Sequence, residues 1–286
     1  MRKALVTMML SMLMAACAGG GRSAGAGDPA HWDAMSREHA HETPAANASA
    51  QAPAQEVATR EVEYVVDGER VRGFEARPAS AAVDARLPSI ILVHEWWGLN
   101  DNIRMMARRL AGEGYRTFAV DMYHGRVAQN AQEARALVEE VLRDTDRGMA
   151  HLMTAAMYLE QATGADRIGI VGWCFGGGWA LAGGLEMPDR IDATAMYYGR
   201  IVTDRDELAK LGGPLLGLFG GADESIPVAQ VRQMEATLRE LGKDVTIHVY
   251  EGAGHAFANP SGQSYRADAA EDAWRRTLTF FDEHLR

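Results

Sequence analysis

From about Val57 onward, short runs of apolar, β-prone residues alternate with longer stretches whose apolar residues recur at helical spacing. Glu61 to Val66 and Arg70 to Ala76 flank Asp67-Gly68, a dipeptide suited to a tight turn, and predict an antiparallel entry hairpin. Ser89 to Val93 is a nearly continuous apolar run, as expected of a strand buried on both faces. Asn100 or Asp101 can cap a helix whose apolar positions are Ile103, Met106, Ala107 and Leu110, with Gly112 or Gly114 at its end. Tyr115 to Val120, Arg167 to Gly172, Ala193 to Tyr198, Pro214 to Phe219 and Val245 to Tyr250 read as further strands. Helices are expected over residues 131–142, 149–161, 176–185 and 227–241, and a closing helix through Trp274 to His284. Strands separated by helices imply parallel βαβ units, so residues 57–286 predict one α/β domain built on a doubly wound, mostly parallel sheet.

The first 56 residues break this pattern. Arg2 and Lys3 followed by the apolar run Ala4 to Met14, too short to span a bilayer, read as a signal peptide over residues 1–17. Its end, Leu13-Met14-Ala15-Ala16-Cys17, has the form of a lipoprotein box with Cys17 as the lipidated residue; simple cleavage at the small residues around Cys17 is the alternative. The expected location is therefore periplasmic, anchored by lipid in the outer membrane, or secreted and soluble. Residues 18–56 are rich in Ala, Gly, Pro, Ser and Asn and read as a flexible linker, with His31, His39 and His41 as solvated residues rather than metal ligands.

Composition narrows the function. A net charge of −10 argues against nucleic acid as a partner, and 47% apolar content suffices for one full-sized core. There are two cysteines, so once Cys17 is lipidated or removed, Cys174 is left without a partner in an oxidising compartment.

Doubly wound sheets place chemistry at the carboxyl ends of their strands, where Glu95, Cys174, Asp223 and His255 fall. Gly172-Trp173-Cys174-Phe175-Gly176 has the G-x-nucleophile-x-G form of a strand-to-helix elbow, whose glycines allow a sharp turn. The following helix would set its positive end beside the thiol and favour thiolate. Asp223 and His255 follow in the order nucleophile, acid, histidine, which is that of α/β-hydrolases. A histidine can take the thiol proton and return it to the leaving group while the carboxylate fixes its tautomer.

His94-Glu95-Trp96-Trp97-Gly98, the elbow with Gly177, Asp223, and Gly254-His255-Ala256-Phe257 together resemble the dienelactone hydrolase family over roughly residues 60–286. The resemblance implies an α/β-hydrolase fold, a Cys174–His255–Asp223 triad, and an oxyanion hole from the backbone N–H groups of Phe175 and Trp96. It also implies that Glu95 holds the thiol at rest and accepts its proton when substrate displaces the carboxylate. Family members acting on dienelactone use arginines to hold the substrate anion. Here the position four beyond the histidine is Asn259, and the second falls near Gln132, with Arg126 or Arg135 as substitutes in space. The expected substrate is accordingly a small neutral or differently charged ester or lactone, cleaved through a thioacyl intermediate. Trp97 is a further candidate for the substrate pocket, while His94 and His124 read as packing residues. No metal-ligand spacing or phosphate loop is present, so no cofactor is expected. A monomer is expected, touching membrane only through the lipid. The competing readings are a non-catalytic envelope binding protein on the same fold and a thiol redox role lacking a resolving cysteine.

Overall fold

The computed structural model describes residues 29–40 and 52–286. The signal peptide, Cys17 and His41 lie outside them. Eight strands form one sheet in the order β1-β2-β4-β3-β5-β6-β7-β8. These are β1 (Val57–Val66), β2 (Glu69–Pro78), β3 (Ser89–Val93), β4 (Arg116–Ala119), β5 (Ile168–Trp173), β6 (Ala193–Tyr197), β7 (Leu215–Gly220) and β8 (Val245–Tyr250). β1–β2 and β2–β4 pair antiparallel and the remaining neighbours pair parallel, so the sheet is the mostly parallel one with an entry hairpin that the periodicity predicts. The hairpin closes through Asp67 and Gly68, both at positive φ (49° and 81°), the geometry of a type I′ turn.

Eight helices accompany the strands among the described residues: α1 (Pro29–Glu38), α2 (Asp101–Gly112), α3 (Ala131–Arg143), α4 (Thr145–Thr163), α5 (Phe175–Glu186), α6 (Arg205–Ala209), α7 (Val228–Glu240) and α8 (Ala267–Leu285). Asn100 rather than Asp101 caps α2, its side chain accepting from the Ile103 N–H. α4 starts four residues earlier than the apolar spacing suggests because Asp144 caps it, and Gly148, which hides the pattern, leaves room for the Trp179 ring. α6 escapes the sequence reading because it is a single short turn started by the Asp204 side chain.

The larger correction concerns α1. Residues 18–56 read as a flexible linker, yet Pro29–Glu38 form a helix that buries Trp32 and Met35, with His39 buried just beyond its end. A helix of this length is marginal in water, so it is the surface beneath that orders it. β3, β5 and β6 are buried along their whole length, and α5 lies on them with nearly every residue enclosed. That rigid centre fixes the strand ends from which the candidate site is built.

Candidate active site

The turn from β5 into α5 explains both flanking glycines. A Cβ on Gly172 would run into the Gly176 carbonyl, and one on Gly176 would run into the carbonyl oxygens of Val93 and His94. Cys174 between them has φ 56° and ψ −119°, a conformation L residues rarely adopt, held by its N–H donating to the Tyr197 carbonyl at 3.0 Å. Its thiol is buried, sits at the start of α5, and accepts a hydrogen bond from the Phe175 N–H.

Three further strand ends supply the rest. The Asp223 carboxylate, in the loop after β7, accepts from the N–H groups of Ser225 and Ile226 at 2.8 and 2.9 Å and from the Ser225 hydroxyl at 3.0 Å. Its other oxygen lies 2.8 Å from Nδ1 of His255, after β8, and the His255 ring and the Cys174 sulfur are close enough to act on each other through charge. Sulfur, imidazole and carboxylate thus form one connected, almost wholly buried chain.

Burial pushes the Cys174 thiol above its ordinary pKa, with the Glu95 carboxylate adding to the effect, while His255 and the Phe175 N–H oppose it. For Asp223, burial favours the neutral form but is outweighed by His255 and the hydrogen bonds from the next turn, so its pKa is lowered. For His255, burial likewise opposes charge, and the Asp223 carboxylate and the sulfur outweigh it, raising its pKa well above 6.5.

Glu95, at the end of β3, is buried, and its Oε2 accepts from the Asn259 side-chain amide at 2.7 Å. Asn259 is in turn held by Asn102 at 3.2 Å. Glu95 acts on the Cys174 thiol through charge while its carboxylate is held by the Asn259 amide. Trp96 and Trp97 are both buried, with rings 5.0 Å apart. His94 packs as expected: Nδ1 is 2.6 Å from the Glu95 carbonyl, Nε2 accepts from the Met122 N–H, and the ring stacks on Phe175.

The two candidate substitute arginines are engaged elsewhere. Arg126 makes a two-pronged pair with Glu140 at 2.6 and 2.8 Å, and Arg135 pairs with Asp33 of α1 at 2.5 Å and with Glu139. Neither lines the cavity beside Cys174, whose walls include Phe175, Trp179, Leu142 and Arg200. Arg200, just past β6, was not singled out from the sequence; only its place after a strand end could have found it. His31 and Trp32 also line this cavity, a contribution that their polar, low-complexity surroundings concealed. His124 belongs to a separate polar cavity with Arg126, Arg147 and His151. Among the described residues no group of three or more His, Cys, Asp or Glu side chains is arranged to hold a metal ion, and no helix is long and apolar enough to cross a membrane.

A model of the dienelactone hydrolase family matches residues 71–285. A protein of Saccharolobus solfataricus, provisionally named a carboxymethylenebutenolidase, is 31% identical over 257 residues, covering 77% of this chain and 97% of its own. A Methylorubrum extorquens protein with the same provisional name is 34% identical over 228 residues, covering 75% and 77%. The crystal structure of a provisionally named dienelactone hydrolase from Klebsiella pneumoniae superposes with a TM-score of 0.72 at 30% identity, covering 80% of this chain and all of the other. The elbow, the eight-stranded sheet and these matches agree: the chain belongs to the dienelactone hydrolase family, within the α/β-hydrolase superfamily.

Proposed function

We propose that this hydrolase of the ester- and lactone-cleaving family works through Cys174 as nucleophile, His255 as proton carrier and Asp223 as the carboxylate that orients the imidazole. The observation that carries the reading is the connected chain from the elbow thiol through His255 to Asp223. The thiol proton passes to His255 as sulfur attacks the ester carbonyl, and the oxyanion is held by backbone N–H groups, for which Phe175 is already directed at the sulfur and Trp96 is the second candidate. Collapse of the tetrahedral species expels the alkoxide, which takes the proton from His255 and leaves a thioacyl enzyme. His255 then deprotonates a water that attacks the acyl carbon; the carboxylic acid leaves and the sulfur regains its proton.

Glu95 keeps the unoccupied site from holding a stable thiolate, because its charge raises the cost of a second anion nearby. Asn259 fixes that carboxylate without neutralising it, as a neutral amide can. With Arg126 and Arg135 committed to other carboxylates and Arg200 in the cavity wall, the substrate is a neutral or differently charged ester or lactone rather than dienelactone itself. Residues 1–17 would deliver the enzyme to the periplasm with Cys17 as its lipid anchor.

The test is hydrolysis of p-nitrophenyl acetate and a panel of small lactones by the wild type, Cys174→Ala and Cys174→Ser. Turnover by the wild type that disappears in Cys174→Ala is the expected result. Equal turnover in Cys174→Ala, or a strong preference for cis-dienelactone over neutral esters, would overturn the reading.

A further inference from the structure

Helix α1 and His39 lie across the candidate catalytic groups from a distant part of the sequence. Met35 is fully enclosed, Trp32 and His39 nearly so. The Trp32 ring is 6.4 Å from Phe175 at the elbow, and the His39 ring is 5.5 Å from both Trp96 and His255. The Met35 sulfur lies 3.4 Å from the Ser225 hydroxyl oxygen, and His31 Nδ1 lies 3.2 Å from the Ser225 carbonyl, in the loop that carries Asp223. Asp33 pairs with Arg135 on α3. Every strand end that supplies a candidate catalytic group therefore has a partner on, or just beyond, this helix.

The helix also completes a cavity. Beside Cys174 is a cavity walled on its apolar side by Trp32, Phe175, Trp179, Leu142 and Val202, with His31 and Arg200 lining the rest. Its floor at Gly178 is close to the Arg200 Cβ. Burial, opposed by the hydrogen bond to Ser225, lowers the His31 pKa to about 4, so this side of the wall is neutral near neutral pH. Trp32, Phe175 and Trp179 give this cavity an aromatic side next to Cys174, against which an apolar acyl group can pack.

We propose that α1 is the specificity element of this enzyme: Trp32 forms a wall of the acyl pocket and limits the length of acyl group it takes, and Met35 and His39 seat the helix over the nucleophile and its base. The assignment rests on the ester-hydrolase reading above. It separates the protein from a bare catalytic domain, because the pocket is bounded by a segment upstream of the family-matched residues 71–285.

The experiment uses the full chain carrying Trp32→Ala or Met35→Glu, with p-nitrophenyl acetate, butyrate and octanoate as probes. Each additional methylene that gains a buried position is worth several-fold in kcat/KM, so Trp32→Ala should raise the octanoate-to-acetate ratio by about tenfold or more. Met35→Glu should unseat the helix and speed labelling of Cys174 by a bulky maleimide, read on its own peptide by mass spectrometry, more than labelling by iodoacetamide. An unchanged substrate ratio in Trp32→Ala with unchanged maleimide labelling in Met35→Glu overturns the inference. A wild type that cleaves none of the esters would defeat the hydrolase reading instead. In that case maleimide labelling alone decides the cover: a rise in Met35→Glu supports it and no change overturns it.

Discussion

Two helices meet at Cys174, and they are ordered for opposite reasons. α5 follows Cys174 directly, is largely apolar and packs Gly176 and Gly177 against backbone at strand ends. α1 is half polar, has no acidic residue in its first turn, and is held by a few large side chains set into a surface made by other segments. The first is dictated locally, since few other chains could turn so tightly between strand and helix. The second is dictated by tertiary contact. A site can therefore be fixed on one side by the backbone and adjustable on the other.

The comparison can be broken most forcefully at Gly176. Gly176→Ala places a methyl group against the Val93 and His94 carbonyls, so strand or helix must move, costing about 3 kcal/mol or more and at least about a hundredfold in kcat/KM. Chemical denaturation with an esterase assay measures both; near-wild-type values would mean that the elbow is not locally constrained. Next in size is Asp223→Asn, expected to cost about a thousandfold in kcat/KM through loss of the imidazole's orientation. The same variant tests the pH dependence. His255 must be neutral to accept the thiol proton and its folded pKa is raised, so kcat/KM should climb with pH and reach half its limit above 6.5. In Asp223→Asn that half-point should move down. A wild-type profile already half-maximal well below 6.5 would contradict the raised imidazole.

On the α1 side the effects should be smaller and more local. Met35→Glu buries a charge and is expected to cost about 2–3 kcal/mol of helix docking. Hydrogen exchange should show lost protection at residues 31–39 while the denaturation midpoint of the sheet moves little; a common shift of both would make α1 part of the main cooperative unit. Arg135→Ala should be the mildest. Its pairs with Asp33 and Glu139 are partly exposed, and about 0.5 kcal/mol or less is expected, falling further in high salt.

The same contrast explains what could be read from the chain. Strands β3, β5, β6 and β7 and the elbow are legible because burial on both faces writes largely apolar runs and because the Gly172–Gly176 spacing has few other uses. The order Cys174, Asp223, His255 is legible because each follows a strand. The α1 signal is weaker but present: Trp32, Met35 and His39 stand at i, i+3 and i+7, one face of a helix, diluted by small and polar neighbours. Arg200 and the Asn259 contact to Glu95 were hidden for another reason. Both depend on how strand ends are arranged in space, which residue types alone do not state. Arg126 and Arg135 looked available in sequence because their carboxylate partners are supplied by α3 and, for Arg135, also by α1.

The backbone packing around the elbow also bears on mutational history. Side chains at Gly172, Gly176, Gly177 and Gly199 would each collide with main-chain atoms, which no neighbouring rotamer can relieve. Cys174 sits among these glycines at the tip of the turn, with φ 56° and ψ −119°. Substitution is thus closed at the frame and open at the tip. Descendants of this chain could exchange the reacting atom by a single codon change, sulfur for oxygen, while the address at which it is presented stays frozen.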